Sequence, residues 1–320
     1  MKKYSLIIIG FLLFISCKKN EENVRKTSGK TNVISIIIDD ELWNGEIGDS
    51  IRNKFAAPVI GLPQEEPIFS INQFPVKLLE GFMNNSRNII VIKKEAKSVF
   101  EMIENEFAIP QNVTHISGRS VLEILDTIEK KAPFIIRKIK QMEIDAVQKT
   151  TSKNLFNAKI INNKFKIGIE IPEKFEYVMR RSKFIWLKKE IPSGSLSLIA
   201  YQIPIFNIKS SKARLTQIIK TRDSIGNLYI HGSARNTKML TDKSFSPYLS
   251  EELISSKKVY VTKGLWQMNN DFMSGPFINF NIIDQKHNRI LVLEGFCYAP
   301  SKEKRDLMFE LESIIKSIKI

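Results

Sequence analysis

A chain of 320 residues, 43% hydrophobic and 26% charged, can bury one large core or two of ordinary size, which excludes a disordered polymer. The formal net charge is +15, and Cys17 and Cys297 are its two cysteines, which excludes a disulfide-dense scaffold. The chain opens on Lys2-Lys3, an almost unbroken apolar run Tyr4 to Ile15, and the small residue Ser16 before Cys17. That order is the layout of an export signal. A permanent membrane span is disfavoured, because a helix crossing the hydrocarbon needs about twenty apolar residues.

Leu13-Phe14-Ile15-Ser16-Cys17 resembles the lipobox of bacterial lipoproteins, with Phe14 standing where Leu is usual. The resemblance implies a signal peptide over 1–16, removed before Cys17, and acylation (palmitate) at Cys17. A lipid anchor of two or more chains holds stably at about 0.8 kcal/mol per buried methylene. The expected location is therefore the cell envelope, on the outer membrane, at its periplasmic face or the cell surface. Losing Lys2 and Lys3 takes the charge from +15 to +13, still strongly basic. An exported chain does not meet nucleic acid, so the basicity is read as solubility and as affinity for anionic envelope surfaces. Residues 17–31 (CKKNEENVRKTSGKT) are charged and poor in apolar residues, as in a flexible tether.

Two halves follow, an α/β half over 32–152 and an α+β half over 153–320. Asn32 to Ile38 reads as a buried strand ending at Asp39-Asp40, Ile47 to Phe55 as a helix, and Gly61 to Pro67 as a rigid turn-rich loop. Ile68 to Phe74 alternates and Asn88 to Ile92 is β-branched, so both are expected strands. Val99, Phe100, Ile103 and Phe107 share a helical face, which predicts a helix over Glu95 to Phe107. Gly118 to Lys149 is the longest helical pattern, with Pro133 expected to interrupt or kink it. Thr150 to Asn163 reads as the connection between halves.

The second half is richer in strands: Phe165 to Ile171, Phe184 to Lys189, Leu196 to Ile203, Val259 to Thr262, Phe277 to Ile283 and Arg289 to Phe296, with a helix at Lys212 to Arg222. The polar stretch Asp284 to Asn288 has hairpin-loop length. Lys302 to Ile318 closes the chain as an amphipathic helix with Leu307, Leu311, Ile314, Ile315 and Ile318 on its apolar face. The expected class is α+β, two sheet-and-helix halves with mixed and antiparallel strands and a C-terminal amphipathic helix. Cys297, in the strand-like run Ile290 to Tyr298, reads as a buried inert thiol.

Two blocks carry a family resemblance. One is Asp39 to Asp49 (DDELWNGEIGD) with Phe55-Ala56-Ala57-Pro58 and Leu62 to Pro67 (LPQEEP). The other is Gly264 to Pro276 (GLWQMNNDFMSGP) with Glu294 to Pro300 (EGFCYAP). The chain is similar to the Bacteroidetes envelope lipoproteins grouped as domain of unknown function 4837, over nearly the whole mature length. The resemblance implies an envelope lipoprotein and names no reaction or catalytic residue.

Among motifs with chemistry, G-x-S-x-G, H-E-x-x-H, a phosphate loop, C-x-x-C and the dinucleotide glycine fingerprint are missing from the sequence. His115, His231 and His287 stand alone, without metal-ligand spacing, and His287 is expected to be exposed. The candidate ligand or cation face is Asp39, Asp40, Glu41 and Trp43 after the first strand, Glu65 and Glu66 in the loop, and Trp266, Asn270 and Asp271. Clustered carboxylates can hold a hard cation or split their pKa values for acid/base work, and they also cap helices. Trp beside amides can stack sugars or peptides, and it also fills cores. Ser50, Thr127 and Ser224 each sit in an Asp-Ser/Thr-Ile tripeptide that resembles an O-glycosylation motif of exported proteins. The reading is a non-enzymatic binding or assembly module with a protein, peptide or glycan partner, and no metal or cofactor; the alternative is a carboxylate-dependent periplasmic or surface hydrolase.

Overall fold

Continuous β-branched runs form strands where both faces are covered, and β1 (Val33–Ile37) is such a run at the centre of a parallel group. In the computed structural model, which describes residues 25–79, 83–205, 211–232 and 234–320, two short helices follow it: α1 (Asp40–Trp43) and α2 (Glu46–Phe55). They meet so closely that a Cβ on Gly48 would lie 1.7 Å from the Trp43 carbonyl oxygen. β2 (Ser70–Phe74), β3 (Asn88–Lys94), β4 (Val99–Glu104) and β5 (Asn112–Gly118) complete a mixed sheet in the order β2-β1-β3-β5-β4. All its neighbours are parallel except the β4–β5 hairpin.

α3 (Val121–Thr151) then crosses one face of that sheet. Ser120 caps it by accepting from Glu123 N at 3.3 Å. Ile124, Ile128, Ala132, Ile135 and Ile139 form its buried stripe and fill a core with Ile34, Ile36, Ile51 and Phe55. A smaller core of Ile37, Ile89, Val91 and Val113 lies on the opposite sheet face.

After α4 (Lys159–Phe165) come β6 (Glu176–Arg180), β7 (Phe184–Ile191), β8 (Gly194–Pro204), α5 (Ser211–Tyr229), β9 (Met239–Thr241), β10 (Tyr248–Ile254), β11 (Lys257–Met268), β12 (Ser274–Asp284), β13 (Arg289–Tyr298) and α6 (Arg305–Lys316). The strands form one antiparallel sheet, β10-β11-β12-β13-β8-β7-β6, with β9 added to β11. β13 is its axis and is buried from Arg289 to Cys297, because α6 covers one face and α5 the other. Gly295 permits the close seating of α6, since a Cβ there would meet Leu311 Cβ at 2.8 Å. Under α5, Glu294 is fully buried, accepting from Arg222 Nε at 3.0 Å and from Asn279 Nδ2 at 2.7 Å, while Arg222 also lies 3.8 Å from the Phe277 ring centre.

The α+β class, the mixed and antiparallel sheets and the C-terminal helix agree with the sequence reading, and four local expectations are corrected. Residues Glu95 to Phe107 hold a strand, not a helix: Phe100 and Met102 turn toward the α3 core while Val99, Glu101 and Ile103 turn away, a period of two that a helical face also accommodates over so short a stretch. Phe165 closes α4, and the stretch to Ile171 alternates as a strand does, with Ile167, Ile169 and Ile171 buried, yet it joins no sheet; it is held by the isolated bridge Gly168↔Lys319, by hydrogen bonds from Phe156 N to Ile171 O and from Glu170 N to Ser317 Oγ, and by packing. Pro133 does not end α3, which runs unbroken over 31 residues because its apolar stripe stays on the sheet. The expected connection Thr150 to Asn163 contains the end of α3 and most of α4.

Candidate functional site

The two sheets meet at a seam built by α3, α6 and the 61–67 loop. Glu66 is buried and accepts from the backbone N–H of Lys304 at 2.8 and 2.9 Å and of Arg305 at 2.7 Å, so its carboxylate neutralises the amino end of α6. Arg305 answers by donating to Pro67 O at 3.1 Å and Ser70 Oγ at 3.0 Å. Asn32 donates to Asp306 at 2.9 Å, and Gln148 Nε2 donates to Ser313 O at 2.9 Å. Further along, Glu312 lies between Lys263 (3.3 Å) and Lys316 (2.9 Å), with Lys316 also 3.1 Å from Glu252. Burial would raise the Glu312 pKa, but Lys263 and Lys316 outweigh it and hold the carboxyl at about 2. Lys140 is pushed down by burial and by neighbouring Lys263.

Next to this seam opens a cleft of about 650 Å³. One wall is the chain just before β1 (Gly29, Lys30, Thr31) with Arg87; the floor is the last turns of α3; the far wall is Pro172-Glu173-Lys174 with Asp306, Phe309 and Glu310 of α6. A polar recess of about 140 Å³ adjoins it through Gly29, Lys30 and Arg87, and is lined by Ser28, Ser35, Asn72, Asn85 and Ser86.

Most charge in the cleft is cancelled from within. Arg87 Nη2 donates to Glu143 Oε2 at 2.7 Å and Arg87 Nε reaches both oxygens at 3.1 Å, with Asn88 Nδ2 donating to Oε1 at 2.7 Å. Glu310 is bonded to Lys189 at 2.5 Å, and Asp306 to Asn32 and Arg305. Lys30 and Lys174, on opposite walls, have no ion pair with a described residue, and neither has Glu173. The mouth is therefore a net cation above a floor of Thr150, Thr151 and Asn154, beside the nine-tenths-buried Phe309 of the far wall.

The residues singled out by sequence occupy separate places. Asp39 and Glu41 are exposed at the start of α1, Asp40 accepts from Gln73 Nε2 at 2.9 Å, and Trp43 is covered by Arg52 at 4.5 Å from its ring centre. Glu65 is exposed while its neighbour Glu66 serves the seam. Trp266 is 1% exposed and donates to Cys297 O at 3.2 Å. Asn270 takes a left-handed turn at φ 57 and Asp271 lies against Gly232 at the β11–β12 tip. None of these residues lines the cleft. Among the described residues no group of three or more His, Cys, Asp and Glu side chains could hold a metal ion.

Ser50, Thr127 and Ser224 all lie inside helices, where Thr127 and Ser224 donate to the carbonyls of Glu123 and Lys220. His115 pairs with Glu106 at 2.8 Å, His231 with Thr237 O at 2.8 Å and the exposed His287 with Asp284 at 2.7 Å. Cys297 is buried, and burial pushes its thiol up to about 12, as an inert core thiol requires. Cys17 lies outside the described residues. Sequence reasoning missed Lys30, Arg87, Glu143 and Lys174. A signal existed for Glu143: it continues the buried series Ile135, Ile139 at a spacing of four, and a carboxylate in an apolar stripe needs a buried cation.

Residues 154–317 match the family described as domain of unknown function DUF4837, about half of the chain. The chain belongs to that family. Residues 27–152, ahead of the DUF4837 region, match a second domain of unknown function, DUF8532. No curated protein matches the chain. Among solved structures, the Ran-binding protein Mog1p of Saccharomyces cerevisiae aligns with 7% identity and a TM-score of 0.33, over 48% of this chain and 89% of Mog1p. LpqN of Mycobacterium tuberculosis, described as involved in cell envelope biogenesis, aligns with 11% identity and a TM-score of 0.29, over 48% of this chain and 82% of LpqN. Scores this low do not establish a common fold.

Proposed function

We propose that this DUF4837 chain is a membrane-tethered, non-enzymatic envelope module that holds an acidic polypeptide segment in the α3–α6 cleft. The observation that carries the reading is the 650 Å³ cleft whose inner charges are paired and whose mouth keeps Lys30 and Lys174, from separate walls, against the one carboxylate Glu173, a net cation. A pocket of this size lined by few convergent polar groups is a default binding site. The dispersal of Asp39, Asp40, Glu65 and Asp271 weakens the hydrolase alternative, which needs two carboxylates acting on one substrate. A peptide fits better than a glycan, because the cleft has no open aromatic face for a sugar ring: Phe309 is 9% exposed and Trp266 is in the core. The anchor is lipid on Cys17 and the location the outer membrane; the lipobox-like residues support the anchor and the export signal supports an envelope location.

The test is a fluorescein-labelled peptide Glu-Ser-Glu-Ser-Glu titrated against the full-length chain in detergent micelles. Binding should weaken on the order of tenfold in the double variant Lys30→Glu/Lys174→Glu, and steeply with added salt, as expected for rim charges. Equal binding by parent and variant at low salt would refute the cleft as the site.

A further inference from the structure

β4 is the terminal strand of the mixed sheet, and among the described residues no backbone pairs with its outer edge. Its ladder with β5 runs without a bulge from Val99↔Ser117 to Glu104↔Asn112, and Asn105 continues it by donating to Gln111 O at 2.8 Å. Hydrogen-bonded pairs alternate along an antiparallel ladder, so the odd-numbered residues are tied to β5. The backbone N–H and C=O groups of Phe100, Met102 and Glu104 therefore turn outward.

Such an edge is a template for another strand, and proteins usually blunt it. The other terminal strands here are blunted or engaged. β2 is five residues long and stops at Pro75, and β6 has a register shift between Tyr177 and Met179. On β10 both carboxylates, Glu251 and Glu252, are already taken by Arg214, Lys258 and Lys316. β4 has neither a proline stop nor a register shift, and of its carboxylates Glu104 is taken by Lys138 at 3.6 Å while Glu101 is left over.

Beside the β4 edge, on the sheet face away from α3, lies a groove of about 330 Å³. Val99, Glu101 and Ile103 face it from β4 itself, an apolar, acidic, apolar series at the strand period. Val99 is 40% exposed, and Glu101 has no hydrogen bond or ion pair with a described residue. His115 stands opposite Glu101 in the ladder, but its Nε2 is held by Glu106 at 2.8 Å. Lys93 is the one lysine in the groove and lies 3.9 Å from Glu95.

We infer that β4 binds an extended polypeptide by strand addition, and that the partner presents apolar, basic and apolar side chains at alternate positions over Val99, Glu101 and Ile103. Main-chain hydrogen bonds at the edge supply affinity, and the groove selects alternate side chains. This site is independent of the cleft and opposite to it in charge preference.

The probe is the acetylated, amidated heptapeptide Thr-Val-Thr-Lys-Thr-Val-Thr, titrated against the full-length chain in detergent micelles and read by amide hydrogen exchange. At saturation the amides of Phe100, Met102 and Glu104 should become protected. Replacing the peptide's Lys by Glu should weaken binding about two- to fivefold, the range of a cross-strand charge pair, and Glu101→Lys should reverse that order. Glu101 is exposed, so the variant keeps the fold. Unchanged exchange at those three amides, protection elsewhere in their place, or an order of Lys and Glu peptides that Glu101→Lys leaves unaltered would each overturn the inference.

Discussion

Glu143 and Glu66 are buried carboxylates with different duties, and each makes a distinct demand on its partners. Glu143 is wholly buried on α3 and its charge is balanced by Arg87. Arg87→Leu strands that charge and should cost about 3–5 kcal/mol in chemical denaturation, whereas Arg87→Leu with Glu143→Leu should recover most of the loss. Glu66 binds backbone, not a side-chain cation, so Glu66→Ala leaves the N–H groups of Lys304 and Arg305 without a partner, at about 1–3 kcal/mol. The sequence showed both Glu65 and Glu66 in a rigid loop but not which faces in, since that depends on where α6 begins, more than 230 residues later. Trp266 was likewise visible as an indole beside amides; only the packing of β13 reveals that its N–H is satisfied in the core.

At the scale of elements, periodicity was reliable where a long stripe met one surface. The α6 stripe was read correctly for that reason, with Leu311, Ile314, Ile315 and Ile318 all buried, and α3 outlasts Pro133 because burial of its stripe outweighs one lost hydrogen bond. Pro133 is exposed, so Pro133→Ala should raise stability, by up to about 3 kcal/mol, in thermal unfolding. Short segments were ambiguous, as β4 shows, because six residues satisfy periods of two and of 3.6 almost equally.

The α6 seam also predicts a pH dependence. A carboxyl held at about 2 in the folded chain and near 4.5 when unfolded contributes stability above the higher value and loses it as pH falls through the lower. Between pH 5 and pH 2 Glu312 should therefore account for at most about 3 kcal/mol of acid destabilisation, a slope that Glu312→Gln should flatten.

At the scale of the whole molecule, two of the family segments, the 61–67 loop and Gly264, meet where the halves join. Glu66 reaches α6 and Gly61 lies against Lys263 and Gly264, so part of what made the sequence recognisable builds the joint, while Trp266 to Cys297 is a contact within the second sheet. The cleft beside that joint was not legible, because its residues come from five separate stretches and its charges become significant only once their pairing is known. Lys30 is thirteen positions after Cys17, so with lipid on Cys17 the cleft wall would stay within about 45 Å of the membrane. Cys17→Ala should move the intact fold from the membrane fraction to the soluble fraction in cell fractionation.

The most direct test of the cleft as a ligand site is in-cell photo-crosslinking from Asn154, exposed on its floor, against Leu122, 75% exposed at the other end of α3. The expected result is a discrete adduct from Asn154 that disappears with Lys30→Glu/Lys174→Glu and is missing from Leu122. An adduct of equal yield at both positions, or one from Asn154 that survives the charge reversal, would contradict it.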